Sequence, residues 1–126
     1  MSDYTTKRIN EMEAGFGGGF VKVRAELGAT AFGMQVIQLP PGYSDYPEHD
    51  HAESGQEEVF VTLSGSGEMD IEGDRVEMEP ETFIRVAPDV KRKVYPGPQG
   101  LRMLIVGGTP GQPYEIVPMT ELGASA

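Results

Sequence analysis

Apolar and polar residues alternate along this chain in short runs, and the period is the two-residue period of a strand rather than the 3.6 of a helix. Val21, Val23 and Ala25 alternate with Lys22, Arg24 and Glu26, and Phe32, Met34 and Val36 share one face of a second run that Pro40-Pro41-Gly42 ends. Glu57 to Ser64 reads as a buried strand. Gly65-Ser66-Gly67 is predicted to turn it into another, in which Met69 and Ile71 alternate with Glu68, Asp70 and Glu72. Gly73-Asp74 predicts a turn before Val76 and Met78, Pro80-Glu81 predicts the next, and Thr82 to Val86, Val90 to Tyr95 and Leu101 to Val106 complete the set. A helix of any length fits only Thr6 to Ala14, where Gly15-Phe16-Gly17-Gly18-Gly19 closes it. The Gly- and Pro-rich stretch from Gly107 is expected to lie along the surface.

Strands this short and evenly spaced, punctuated by 17 Gly and 10 Pro, predict an all-β sandwich or barrel. At 126 residues the chain reads as a single domain with a core of its own. The absence of Cys excludes a disulfide scaffold, a thiolate metal site and a cysteine nucleophile. A net charge of -10 opposes general binding to nucleic acid or to an anionic membrane, each of which needs a basic face, so a small molecule is the expected partner. No apolar run approaches the length of a membrane span, and the polar N-terminal residues lead to the expectation of a cytoplasmic protein.

Both histidines fall in one tripeptide, His49-Asp50-His51, with Glu57 and Glu58 close behind. Two imidazoles one residue apart project from the same side of a strand, so they can share one metal ion. With no thiolate available, that ion would have nitrogen and oxygen ligands.

The stretch from Pro41 to Gly107 resembles the cupins. Their first motif places a Gly, His-x-His, a Glu and a second Gly in order, and Gly42, His49, His51, Glu58 and Gly65 fill those places. The interval from Glu58 to Gly65 fits and selects Glu58 over Glu57, while two spacings depart from the pattern, six residues between Gly42 and His49 and six between His51 and Glu58, the latter a slightly long loop. The resemblance implies a double-stranded β-helix, a jelly-roll barrel of about residues 20–107 with a short N-terminal extension. It also implies a divalent metal ion, Fe, Mn, Ni or Zn, held by His49, His51 and Glu58, and a homodimer formed through open edge strands. The second motif normally supplies a histidine as fourth ligand. Here the turn is Pro80-Glu81-Thr82, and Arg92 stands where that histidine would be. A guanidinium cannot ligate a metal, yet strand parity with Val90 and Val94 points Arg92 inward.

Three readings follow. His49, His51 and Glu58 can form a two-histidine, one-carboxylate face with positions left for substrate, beside which Arg92 clamps an anionic group as a catalytic residue. Arg92 can instead pair with Glu58 in a metal-free barrel that only binds a ligand. The histidines can also be structural, exposed on a loop near Asp45-Tyr46-Pro47-Glu48. The first leads to a metal-dependent enzyme of oxygenase or isomerase/epimerase type, and the second to a binding or sensor cupin. Around the site, Gln56, Phe60, Arg85 and Arg92 are the candidate substrate-pocket residues, with Thr62, Phe83 and Met103 as further wall. Tyr46 is a candidate proton donor at the mouth, as is Tyr95. Gly15-Phe16-Gly17-Gly18-Gly19 lacks the Lys and helix of a phosphate loop and reads as a joint.

Overall fold

The structure, a computed structural model, describes residues 2–124. It is an antiparallel β-barrel built on β1 (Ala14–Gly15), β2 (Phe20–Val21), β3 (Gly33–Leu39), β4 (Glu57–Ile71), β5 (Asp74–Met78), β6 (Phe83–Val86) and β7 (Arg92–Gly108), with one short helix, α1 (Val23–Leu27). The strands follow the order β1-β2-β3-β7-β4-β5, and β6 adds to the free side of β4. Two strands run much further than their sequence suggests. β4 and β7 pair along nearly their whole lengths, and each joins segments predicted as two strands.

Their continuity rests on bulges. The register between β4 and β7 shifts between Thr62 and Ser64 and again between Gly65 and Gly67. An extra residue at a bulge bends a strand and changes which face its residues take. In β4, Phe60 and Thr62 point inward before the shifts and Met69 after them; in β7, Arg92 and Val94 are inward before and Leu101, Met103 and Ile105 after. Gly65-Ser66-Gly67 is thus the bend of one strand and not a hairpin turn. Gly65 has φ +72, and a Cβ there would lie 2.2 Å from the Gly100 carbonyl oxygen, so the close approach of the two strands requires glycine. The core, including Ile37, Leu39, Phe60, Met69, Val94 and Met103, is drawn from both halves of the long strands.

The N-terminal quarter differs most from expectation. The strand predicted from Val21 stops there, and Val23–Leu27 is helical: Val23 and Leu27 are four apart, so both reach the apolar cluster of Val21 and Val36. Gly28, at φ +75, ends the helix. Thr6 to Ala14 holds a single 3-10 turn, Ile9–Glu11. Met34 and Val36 do share a face, but it is the outer face of β3 beneath this helix; Gln35, Ile37 and Leu39 stand opposite the inward residues Ile105, Met103 and Leu101.

Lys22 and Arg24 are also buried rather than solvated, at 2% and 4% exposure. The Lys22 ammonium donates to the Glu13 carboxylate at 2.7 Å and to the carbonyls of Glu121 and Ala124 at 2.9 and 3.1 Å, which satisfies all three of its protons. Arg24 donates to Ala29 O at 2.9 Å and pairs with Glu121 at 3.2 Å. The stretch expected at the surface from Gly107 begins later, since Gly107 and Gly108 belong to β7; residues 109–124 run over the surface, tied to the N-terminal extension at one buried cluster. No described helix is long and apolar enough to cross a membrane.

Candidate functional site

The histidine loop is held by backbone bonds to the first residue of β7 and the turn before it. His49 N–H donates to Arg92 O at 3.1 Å, Arg92 N–H returns a bond to His49 O at 3.0 Å, and His51 N–H donates to Pro88 O at 2.7 Å. His49 and Arg92 form an isolated bridge, so the tripeptide is extended without belonging to a strand. The consequence expected of a strand still holds: both rings turn the same way, with centroids 5.1 Å apart at 83°.

Glu58, second residue of β4 and 6% exposed, meets them from the barrel wall. One ligand atom from each of His49, His51 and Glu58 lies within 4.8 Å of the other two. The His51 Nε2 and Glu58 Oε1 atoms are 3.2 Å apart, and neither makes a hydrogen bond of acceptable geometry although both are buried. The His49 Nδ1 atom is 3.0 Å from the Pro47 carbonyl, which can only accept; that bond places the proton on Nδ1 and leaves the Nε2 lone pair free. Two orphaned buried atoms, a histidine with its tautomer fixed from behind and an all-N/O donor set fit a divalent ion. The structural reading of the histidines does not account for these orphaned atoms.

Gly107 makes the approach of Glu58 possible. It lies opposite Glu58 on β7, and a Cβ there would fall 2.7 Å from Gln56 Oε1 and 3.3 Å from Glu58 Cγ. Its signal in the sequence is the break in the inward series Met103, Ile105, Gly107, where the third position carries no side chain.

Arg92 is inside, as its parity predicts, at 0% exposure. Its position differs from that of a substrate clamp. The Nη1 atom is 3.9 Å from Glu58 Oε1, Nη2 donates to Ala87 O at 3.0 Å, and the guanidinium does not line the cavity onto which the triad opens. Arg92 stands behind Glu58 and offers its carboxylate an opposite charge.

The cavity measures about 610 Å³ and lies between the inner face of β3, the loop carrying Tyr43 to His51 and the two terminal segments. Tyr46 lines it, its ring 5.8 Å from that of His49. Burial, helped by the Glu58 charge and opposed by Arg92, raises the Tyr46 phenol above its ordinary value, so it stays protonated and uncharged at neutral pH. Other expected lining residues lie elsewhere. Arg85 is a correction: it faces outward from β6, paired with Glu57, because the buried residues of that strand are Ile84 and Val86. Phe83 shares that outer face at 70% exposure. Phe60, Thr62 and Met103 are plain core at 0%, 1% and 0%, and Gln56 sits beside Gly107 outside the cavity lining. Tyr95 is remote, stacked under Arg75 and Lys93 at 4.6 and 5.1 Å. Residues not anticipated as lining are Gln35 and Ile37 of β3, Phe16 and Phe20 of the N-terminal extension, and Met119. Gln35 has a legible signal, an amide in the same strand parity as Ile37 and Leu39.

The family model described as a cupin domain matches residues 35–107. The chain belongs to the cupin family. Among solved structures it is similar to a cupin protein from Bacteroides fragilis, at 24% identity and TM-score 0.73 over 100% of both chains. It is also similar to the cupin domain of an XRE family transcriptional regulator from Enterobacter cloacae, at 26% identity and TM-score 0.55, covering 66% of this chain and 86% of that one. A cupin-superfamily sugar phosphate isomerase from Silicibacter pomeroyi shares the fold at 18% identity and TM-score 0.67, over 82% of this chain and 74% of that one. No curated protein matches the sequence.

Proposed function

We propose that this cupin is a metal-dependent enzyme acting on a small molecule in the barrel cavity, by oxygenase or isomerase/epimerase chemistry. The observation that carries the reading is the pair of orphaned buried atoms, His51 Nε2 and Glu58 Oε1, facing each other with His49 at the inner end of a cavity. His49, His51 and Glu58 would hold Fe, Mn, Ni or Zn, which supplies a Lewis acid or a redox centre when bound. Pro47 O fixes the His49 tautomer, and Tyr46 donates a proton at the mostly apolar cavity wall. Arg92 supports Glu58 from behind.

A second reading, a metal-free binding or sensor cupin with Arg92 paired to Glu58, draws on their 3.9 Å separation and on the regulator domain among the relatives. Elemental analysis of untagged protein purified without chelator separates the two. Stoichiometric Fe, Mn, Ni or Zn that disappears in His49→Ala, with the circular dichroism unchanged, is the expected result. Protein that stays metal-free after saturation with all four ions refutes the enzyme reading and favours the pair.

A further inference from the structure

The charges around the cavity are one-sided. Its ionisable lining consists of Asp45 and Glu58 with the two histidines and the tyrosines, and no Lys or Arg lines it among the described residues. Two arginines stand beside lining residues without lining the cavity themselves. Arg92 lies behind Glu58 at 0% exposure, and Arg102, outward on β7, donates to Gln38 Oε1 at 3.2 Å. Gln38 in turn donates to Gly18 O at 3.0 Å, so its amide is spent holding the glycine-rich segment against the barrel.

What remains facing the cavity is mostly flat and apolar. Phe16 and Phe20, with ring centroids 6.2 Å apart, line it together with Tyr43, Tyr46, Ile37 and Met119. Gln35 projects from β3 with no side-chain hydrogen bond among the described residues. Burying a phosphate or carboxylate here would desolvate an anion beside carboxylates with no guanidinium or ammonium to receive it, which is costly. An ion on the triad would offset Glu58, but an anionic group lying away from it would meet Asp45 and no Lys or Arg among the lining residues. Aromatic walls favour a ring that stacks offset or edge-to-face.

We propose that the cavity takes an uncharged aromatic molecule, with one oxygen or nitrogen donor directed at His49, His51 and Glu58 and a second polar group met by the Gln35 amide. This rests on the cavity being the substrate site; it replaces an anionic substrate clamped by Arg92, and it sets phosphorylated sugars aside as ligands.

Calorimetric titration of the zinc-loaded and the chelator-treated protein with 2-naphthol, 2-naphthyl phosphate and glucose 6-phosphate tests it. The expected result is binding of 2-naphthol at least tenfold tighter than 2-naphthyl phosphate in both forms, and no binding of glucose 6-phosphate. Phe16→Ala, which changes a residue 60% exposed to solvent, weakens 2-naphthol about fivefold with the fold intact. Equal or tighter binding of either phosphate, or no binding of 2-naphthol at millimolar concentration, overturns the proposal. Failure to bind any metal with the naphthol preference intact would refute the enzyme reading alone, whereas metal binding with a phosphate preference would refute this inference alone.

Discussion

Glu58 and Arg92 should behave as one energetic unit, and the test is a double-mutant cycle in chelator-treated protein. Arg92 is fully buried, with one hydrogen bond, to Ala87 O, and its Nε and Nη1 atoms unpartnered. Its compensation is the Glu58 carboxylate at 3.9 Å. At that distance, with an effective dielectric of about 20, the attraction is about 4 kcal/mol, and removing one partner of such a buried pair costs roughly 3–5 kcal/mol. Arg92→Met and Glu58→Gln should therefore each lose about 3–5 kcal/mol in urea unfolding followed by far-ultraviolet circular dichroism. That is a large share of the roughly 5–15 kcal/mol that holds a domain together. The double variant, which leaves no buried charge, should recover to within about 1 kcal/mol of the parent or exceed it, since apolar replacement of buried ion pairs is often neutral or stabilising. If either single variant fails to fold, the double variant still should. Two small losses that simply add, or a double variant worse than both singles, would show that the guanidinium and the carboxylate are independent.

Three further outcomes are expected. The Lys22 ammonium, then the Gly123 N–H, bonds to the Glu13 carboxylate and holds its pKa below the ordinary 4.5; a depressed folded-state pKa gives stability that is present above the unfolded value and lost as pH falls through the folded one. Thermal melting between about pH 6 and pH 3 should thus fall more steeply in the parent than in Glu13→Gln, and parallel curves would refute the linkage. Gly107→Ala should displace Gln56 or Glu58 and weaken zinc about tenfold in a competition with a chromophoric chelator while the fold persists; unchanged affinity would show that the close contact at residue 107 is not needed. For oligomeric state, β6 pairs with β4 alone among the described residues, leaving one edge open, and carries Phe83 outward beside Val61 and Leu104. Light scattering should find a dimer that Phe83→Lys converts to monomer, and a monomeric parent would refute it.

Local sequence carried the barrel and the cluster of His49, His51 and Glu58 because both depend largely on short-range rules. Phe60 and Thr62 both face inward by the two-residue period of a strand, and the same period in an extended backbone carries His49 and His51 to one side. Where the reading failed, the deciding contacts were distant in sequence. Lys22 is buried because residues about a hundred positions later supply two of its three acceptors, so its alternation with Val21 and Val23 looked like a solvated strand face. Arg85 turns outward because its partner Glu57, 28 residues away in sequence, lies on the outer surface of the neighbouring strand. Arg92 lies between these cases: parity gave its direction, but only the assembled barrel shows it behind Glu58 rather than in front of substrate.

The bulges in β4 and β7 also bear on which changes of length the chain can survive. Because inward positions change parity across them, inserting or deleting one residue in either long strand alone would turn Met69, or Met103 and Ile105, out to water and bring Glu68 or Arg102 inside. Substitution within these strands is a local event, whereas an insertion inverts half a wall. Divergence in length should therefore collect in the connections, and the six residues between His51 and Glu58, two or three more than the family motif has, are an example. Their backbone closes on itself, Gly55 N–H to His51 O at 2.8 Å, so the longer loop returns the chain to Glu58 without disturbing the triad.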